Sequence, residues 1–390
     1  MDISLISYMK GQLEATTSRF HRYMYDRIPW NTRMFGLVGP RGVGKSTMML
    51  QYIKEHQQDE QMLYVSADNI YFSTRTLIDL ADEFVKEGGQ HLFIDEIHKY
   101  ENWSRELKQI YDTHPDIRVG FTGSSVLDIY KGSADLSRRA PIFQMQGLSF
   151  REYLMMYKQI EVPTYSLDQI LDLQVQIPGV LHPLPLFREY LHHGYYPFAD
   201  DLNYLIKIRQ IINQTMEVDI PIYANMNAST GRKLKQLLGI ISKSVPFKPV
   251  MQNIAITLGA SRNNVADYLM YIEQAGMISQ VRDSTGGIRG LGKVEKVYLD
   301  NPALIYALAD DHADIGNVRE TFFYNQMRVE NDIIVSRIAD FDIGQRTFEV
   351  GGHNKGQKQI QDATDGYIVK DDIEYGSQRI IPLWHFGMNY

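Results

Sequence analysis

An apolar run, Met34–Val38, leads directly into Gly39-Pro40-Arg41-Gly42-Val43-Gly44-Lys45-Ser46, and a helical pattern follows from Ser46 to Glu55. Few segments constrain a fold as tightly. Three closely spaced glycines let the backbone wrap around an anion with its N–H groups turned inward, and the helix that follows presents its positive end to the same point. Gly-x4-Gly-Lys-Ser between a strand and a helix is the Walker A pattern. The nucleotide-binding candidates are therefore Gly39, Pro40, Arg41, Gly42, Val43, Gly44, Lys45, Ser46 and Thr47. Lys45 is expected to reach the β- and γ-phosphates of ATP, and the Ser46 hydroxyl to ligate Mg²⁺.

The same alternation continues downstream. Met62–Val65, His91–Ile94 and Ile117–Thr122 are short apolar runs, while Thr76–Lys86 and Trp103–Tyr111 are helical in pattern. Strand and helix in turn imply βαβ units, hence an α/β domain with a parallel sheet covered on both faces. The third run ends in Leu92-Phe93-Ile94-Asp95-Glu96, an apolar strand closed by acids, the Walker B arrangement. Asp95 is the second candidate for Mg²⁺, and Glu96 the candidate to orient and polarise an attacking water. The fourth run ends in Thr122-Gly123-Ser124-Ser125, which should lie beside the first strand near the γ-phosphate, so a hydroxyl there, Ser124 being the candidate catalytic residue, is expected to sense phosphate or position water. Leu136-Ser137-Arg138-Arg139 offers an arginine to stabilise spreading phosphate charge: Arg138 or Arg139, with Arg139 the candidate catalytic residue, would act as an arginine finger in cis or from a neighbouring subunit.

Composition removes several classes. Charged residues are 22% and hydrophobic ones 44% of 390 residues, so the chain should fold, into two or three domains. A net charge of −7 gives the whole molecule no general attraction for nucleic acid. With no cysteine there are no disulfides or Cys-ligated zinc, which fits a reducing cytoplasm. No leader is read at Met1–Lys10, and no membrane span is expected.

Further motifs carry a resemblance. Ile94-Asp95-Glu96-Ile97-His98-Lys99-Tyr100-Glu101-Asn102-Trp103, with Lys108 and Asp112 in the helix beyond, is similar to the Walker B segment of a family of prokaryotic ATPases. Thr122-Gly123-Ser124-Ser125, Leu148-Ser149-Phe150-Arg151-Glu152-Tyr153 and Gly194-Tyr195-Tyr196-Pro197 resemble its later motifs. Together the chain resembles AAA-like (AAA+ superfamily) P-loop ATPases with a C-terminal domain of the DUF4143 type. The resemblance implies a core of the additional-strand class, then a helical segment, a winged helix and a small α+β nuclease-like tail. The expected divisions are 1–30 (an N-terminal helical segment ending at Pro29), 31–150 (ATPase core), 151–228 (helical linker or lid), 229–300 (winged helix) and 301–390 (tail).

In the winged-helix segment, Met251–Leu258, the turn Gly259-Ala260 and Ser261–Ala275 read as helix-turn-helix. Met277–Asp283 and Val294–Leu299, joined through Gly286-Gly287, read as the wing. Residues 231–300 carry ten Lys/Arg and five Asp/Glu, net +5, leaving −12 on the rest. That favours DNA contact. The second helix argues against it, since Arg262 is its one basic residue beside Asp267 and Glu273, although Asn263 and Asn264 suit base edges. DNA, a protein partner and a second copy of the chain all stay open. In the tail, with strands read at Ile333–Ile338 and Arg346–Val350, Asp340, Asp342 and Glu349 resemble a PD-(D/E)xK set. Gly351 stands where the lysine is expected and Lys355 is displaced. A weak or dead nuclease site is the expectation.

Overall fold

The computed structural model describes residues 1–390 apart from 59, 124–135, 137, 244–245, 284–292, 310–311, 357 and 362. The chain divides into two compact units, Met1–Gly147 and Leu148–Tyr390.

The first unit is built on five parallel strands: β1 (Met34–Val38), β2 (Met62–Ser66), β3 (His91–Asp95), β4 (Arg118–Gly123) and β5 (Ile142–Gln144). Their order is β2-β3-β4-β1-β5, so β4 is inserted between β1 and β3. β1, β2 and β3 are buried along their whole length, which explains why they read as unbroken apolar runs rather than alternating ones. Helices α1 (Ile3–Ala15), α3 (Leu77–Lys86) and α4 (Trp103–Thr113) join one apolar cluster with the sheet through Leu5, Leu80, Phe84, Trp103, Leu107 and Ile110. Helix α2 (Lys45–His56) brings Tyr52 against Trp30, stacked at 4.1 Å, and both approach Phe93. Burying side chains of this size contributes about 1.5–3 kcal/mol each.

The N-terminal segment is not helical up to Pro29. α1 stops at Ala15, and only one 3₁₀ turn, Tyr25–Arg27, follows. Thr16, Thr17 and Ser18 favour helix ends over helix interiors. Side chains of α2 then take the freed carbonyls: Lys54 Nζ donates to Leu13 O and Thr16 O, and Gln51 Nε2 to Thr17 O and Phe20 O.

The second unit opens with helix α5 (Phe150–Lys158), capped by Ser149 in a reciprocal box with Glu152. Further helices span Leu184–Glu189 and Tyr204–Gln214, the latter continuing through a wider turn to Tyr223. Helices α6 (Met251–Leu258) and α7 (Arg262–Gln274) are separated by Gly259 at φ 56° and by Ser261, whose hydroxyl accepts from Asn264 N–H. An antiparallel ribbon, β6 (Ile278–Arg282) and β7 (Val294–Leu299), follows. The Gly286-Gly287 turn lies outside the described residues. After helix α8 (Ile315–Met327) comes a sheet of β8 (Ile333–Val335), β9 (Phe341–Ile343), β10 (Arg346–Gly351), β11 (Gly366–Lys370) and β12 (Ile380–Pro382). β8, β9 and β10 are antiparallel, whereas β10, β11 and β12 are parallel. The first of these strands stops at Val335, short of Ile338, because Ser336 opens a turn whose hydroxyl accepts from Ile338 N–H and Ala339 N–H. Among the described residues, no helix is long and apolar enough to cross a membrane.

Candidate functional site

β1 ends at the C-terminal edge of the sheet, and residues 39–44 turn from it into α2. The turn needs glycine. Gly39, Gly42 and Gly44 have φ of 151°, 83° and 98°, values that side chains rarely adopt. A Cβ on Gly39 would also run into the Met145 carbonyl oxygen. Lys45, the first residue of α2, is buried, and its ammonium donates to Gly39 O and Pro40 O, each at 2.9 Å. Burial lowers its pKa to about 8, opposed by the charges of Glu96 and Asp95. An ammonium held by loop carbonyls in a dry setting is well placed to gain from an arriving phosphate.

The acids meet the loop from β3. Asp95 is buried, and three hydroxyls donate to it: Ser46 to Oδ1 at 2.9 Å, Thr122 also to Oδ1, and Tyr64 to Oδ2 at 2.7 Å. Insertion of β4 between β1 and β3 is what places Thr122 there. Thr122 Oγ1 also accepts from Glu96 N–H at 3.0 Å. Glu96 itself has φ 51°, a left-handed conformation that is costly for a side chain, and His98 Nε2 stands 3.5 Å from Glu96 Oε2. Tyr64 is buried against Tyr8, their rings stacked at 6.3 Å. Burial and the neighbouring Asp95 push its hydroxyl well above the usual tyrosine range, so it stays a donor.

Mg²⁺ prefers a few hard oxygen ligands and keeps much of its water. Ser46 Oγ and Asp95 Oδ1 are such a pair, side by side at the mouth of the loop, so the residues present fit the ion.

Lys45, Ser46, Asp95 and Glu96 are thus brought to one place. Ser124 lies outside the described residues. Arg139 is not brought there: it grips Asp112 at the end of α4 with two hydrogen bonds of 3.1 Å and lies 5.7 Å from the Tyr111 ring centre. That point precedes β5, at the edge of the sheet opposite Gly39–Ser46. Tyr64 enters the site without a sequence signal of its own role, and Thr122, read in sequence as the first hydroxyl of the Thr122–Ser125 motif, is the one that meets Asp95. For Tyr64 the one signal was a hydroxyl in an otherwise apolar run, which packing explains equally well.

In the tail, Asp340 accepts from Val350 N–H at 2.9 Å and from Lys296 at 3.1 Å, and Asp342 accepts from Thr347 at 2.8 Å. Glu349 is buried and pairs with Lys355. The methylenes of Lys355 fill the space that a Cβ on Gly351 would take, coming within 2.6 Å of it. Among the described residues, no group of three or more His, Cys, Asp or Glu is arranged to hold a metal ion.

The family match agrees with the geometry of the first unit. Residues 31–154 match the AAA domain family, and residues 184–315 match a domain of unknown function, DUF8612, rather than the DUF4143 type. An uncharacterized protein of Methanocaldococcus jannaschii is 26% identical over 265 residues, which are 63% of this chain and 56% of that protein, so the chain spans little more than half of its relative. Among solved structures, a Walker-type ATPase of Pyrococcus abyssi is 14% identical with a TM-score of 0.44, covering 76% of this chain and 99% of the other. AMPPCP-bound DnaA from Aquifex aeolicus is 10% identical with a TM-score of 0.25, covering 70% and 89%. Residues 31–154 thus match the AAA domain family, and the sheet there carries the glycine loop between β1 and α2.

Proposed function

We propose that the chain binds ATP with Mg²⁺ at Gly39–Thr47 and hydrolyses it. The observation that carries this reading is the convergence on Asp95 of Ser46 from the loop and Thr122 from β4, with Glu96 held alongside. Two motifs 49 residues apart in sequence meet within hydrogen-bond distance. Loop N–H groups and Lys45 would bind the phosphates, and Ser46 and Asp95 would hold Mg²⁺, which when bound neutralises phosphate charge. Glu96 would accept a proton from the attacking water and orient it. Nucleotide binding by wild type and Lys45→Ala, together with turnover by Glu96→Gln, tests the assignment.

What ATP drives is a second matter. α6, α7 and the β6–β7 ribbon follow the order of a winged helix, and Arg262, Asn263 and Asn264 are exposed. With net +5 over residues 231–300, this supports DNA as the partner. Binding that weakens steeply with salt, and turnover stimulated by DNA, would support it. Salt-insensitive behaviour would favour a nucleotide-gated protein switch. For the tail we propose a structural role, because Asp340, Asp342 and Glu349 are each held by the protein's own donors.

A further inference from the structure

Arg22 lies in the irregular segment after α1 and is buried, 5% exposed. Burying a guanidinium is costly unless its donors are used. Its Nη1 donates to Val43 O, in the nucleotide loop, and its Nη2 to Gln146 O and Gly147 O, each at 2.8 Å. Its neighbour Tyr23 accepts from Gln146 N–H at 3.2 Å. Two further contacts join the same parts: Met145 N–H donates to Val38 O at 2.8 Å, and the Met145 carbonyl lies against Gly39 where a Cβ would clash. Residues 145–147, through which the chain leaves the first unit, are therefore fastened to both ends of the glycine loop.

The link to Val43 has a directional consequence. Across a trans peptide the C=O and the following N–H point in opposite directions. Fixing Val43 O toward Arg22 fixes Gly44 N–H away from it. Gly44 is the residue from which α2 starts, at φ 98°. Charge adds to direction, because a buried cation behind the loop raises the potential felt by an anion in front of it.

We propose that Arg22 is a positioning residue for the nucleotide site: it sets the direction of the Gly44 N–H and ties the loop to residues 145–147, so that loop occupancy and the order of that segment are coupled. This rests on the reading of Gly39–Thr47 as a nucleotide site. It requires no contact between Arg22 and the nucleotide.

The test uses the full chain, with MgADP and a non-hydrolysable MgATP analogue as probes. Affinity is measured by calorimetry and exchange at the 145–147 amides by hydrogen–deuterium exchange, for wild type, Arg22→Ala and Arg22→Lys. In wild type, nucleotide should slow exchange at Met145 and Gln146. Arg22→Ala should bind nucleotide roughly tenfold more weakly, in line with losing a buried charge-assisted contact, and lose that nucleotide-dependent protection. Arg22→Lys, which keeps the charge but not the fork, should recover part of the affinity and less of the protection. A residue that only supported the fold would lower the melting temperature and leave the folded variant with wild-type affinity and wild-type protection. If Arg22→Ala does not fold, Arg22→Lys decides by the same two readouts. Wild-type affinity and wild-type protection in the folded variant overturn the proposal and leave the nucleotide reading standing. Absence of nucleotide binding by wild type overturns both.

Discussion

Ser46 Oγ donates to Asp95 Oδ1 at 2.9 Å, which joins the first turn of α2 to the last residue of β3. This bond is where the loop and the acid become one site. Thr122 shares the same oxygen, and Tyr64 holds the other at 2.7 Å. Asp95 therefore has its direction set from three elements.

Tyr64→Phe removes one of these donors and little volume. A hydrogen bond to a charged group is worth about 1.5–3 kcal/mol. We expect the Mg²⁺ concentration for half-maximal ATP turnover to rise about tenfold, while nucleotide affinity measured in EDTA stays at the wild-type value. Asp95→Asn should show the same separation more strongly. Titrating turnover against Mg²⁺, and binding without it, checks both.

Gly39→Ala and Gly11→Ala should act in opposite directions. At Gly39 a Cβ meets the Met145 carbonyl in a conformation that alanine resists, whereas at Gly11, inside α1, nothing lies within 4 Å. Alanine in a helix interior is favoured over glycine by about 0.5–1 kcal/mol. We expect Gly11→Ala to raise the melting temperature slightly, and Gly39→Ala to lower it and to impair nucleotide binding. Thermal melting with and without nucleotide measures both effects.

Stability should fall in mild acid through His385. This side chain is buried, 4% exposed, and burial lowers its pKa to about 3 from 6.5. The folded state keeps the ring neutral between those values while the unfolded chain takes up a proton. The unfolded state thus binds more protons in that window, and stability drops as pH falls from 6.5 toward 3. One such group gives a slope of about 1.4 kcal/mol per pH unit. Urea unfolding at pH 7.5, 6 and 5 should show a slope in wild type that is smaller in His385→Leu by up to about 1.4 kcal/mol per pH unit below pH 6.5.

The parallel sheet was legible because its strands are buried on both faces and its loop glycines are forced by geometry. Asp95 and Glu96 were legible because they close an apolar strand that follows the glycine loop at the distance two βα units require. β5 was not, since three residues carry no period, and its partner β1 supplies the order. Arg22 and Tyr64 were illegible for a different reason: their roles arise from contacts across 21 and 31 residues, and nothing local marks a side chain that acts at such a distance. Lys355 shows the reverse case. Its displacement by four positions was visible in sequence, but its return to the space beside Gly351 needed the turn between them.

ATP hydrolysis by wild type, Lys45→Ala and Glu96→Gln in the presence of Mg²⁺ tests the central claim most directly. Wild type should turn over. Lys45→Ala should lose both affinity and turnover. Glu96→Gln should bind ATP at near wild-type affinity and turn over about a hundredfold more slowly. Full nucleotide affinity and turnover in Lys45→Ala would contradict the account.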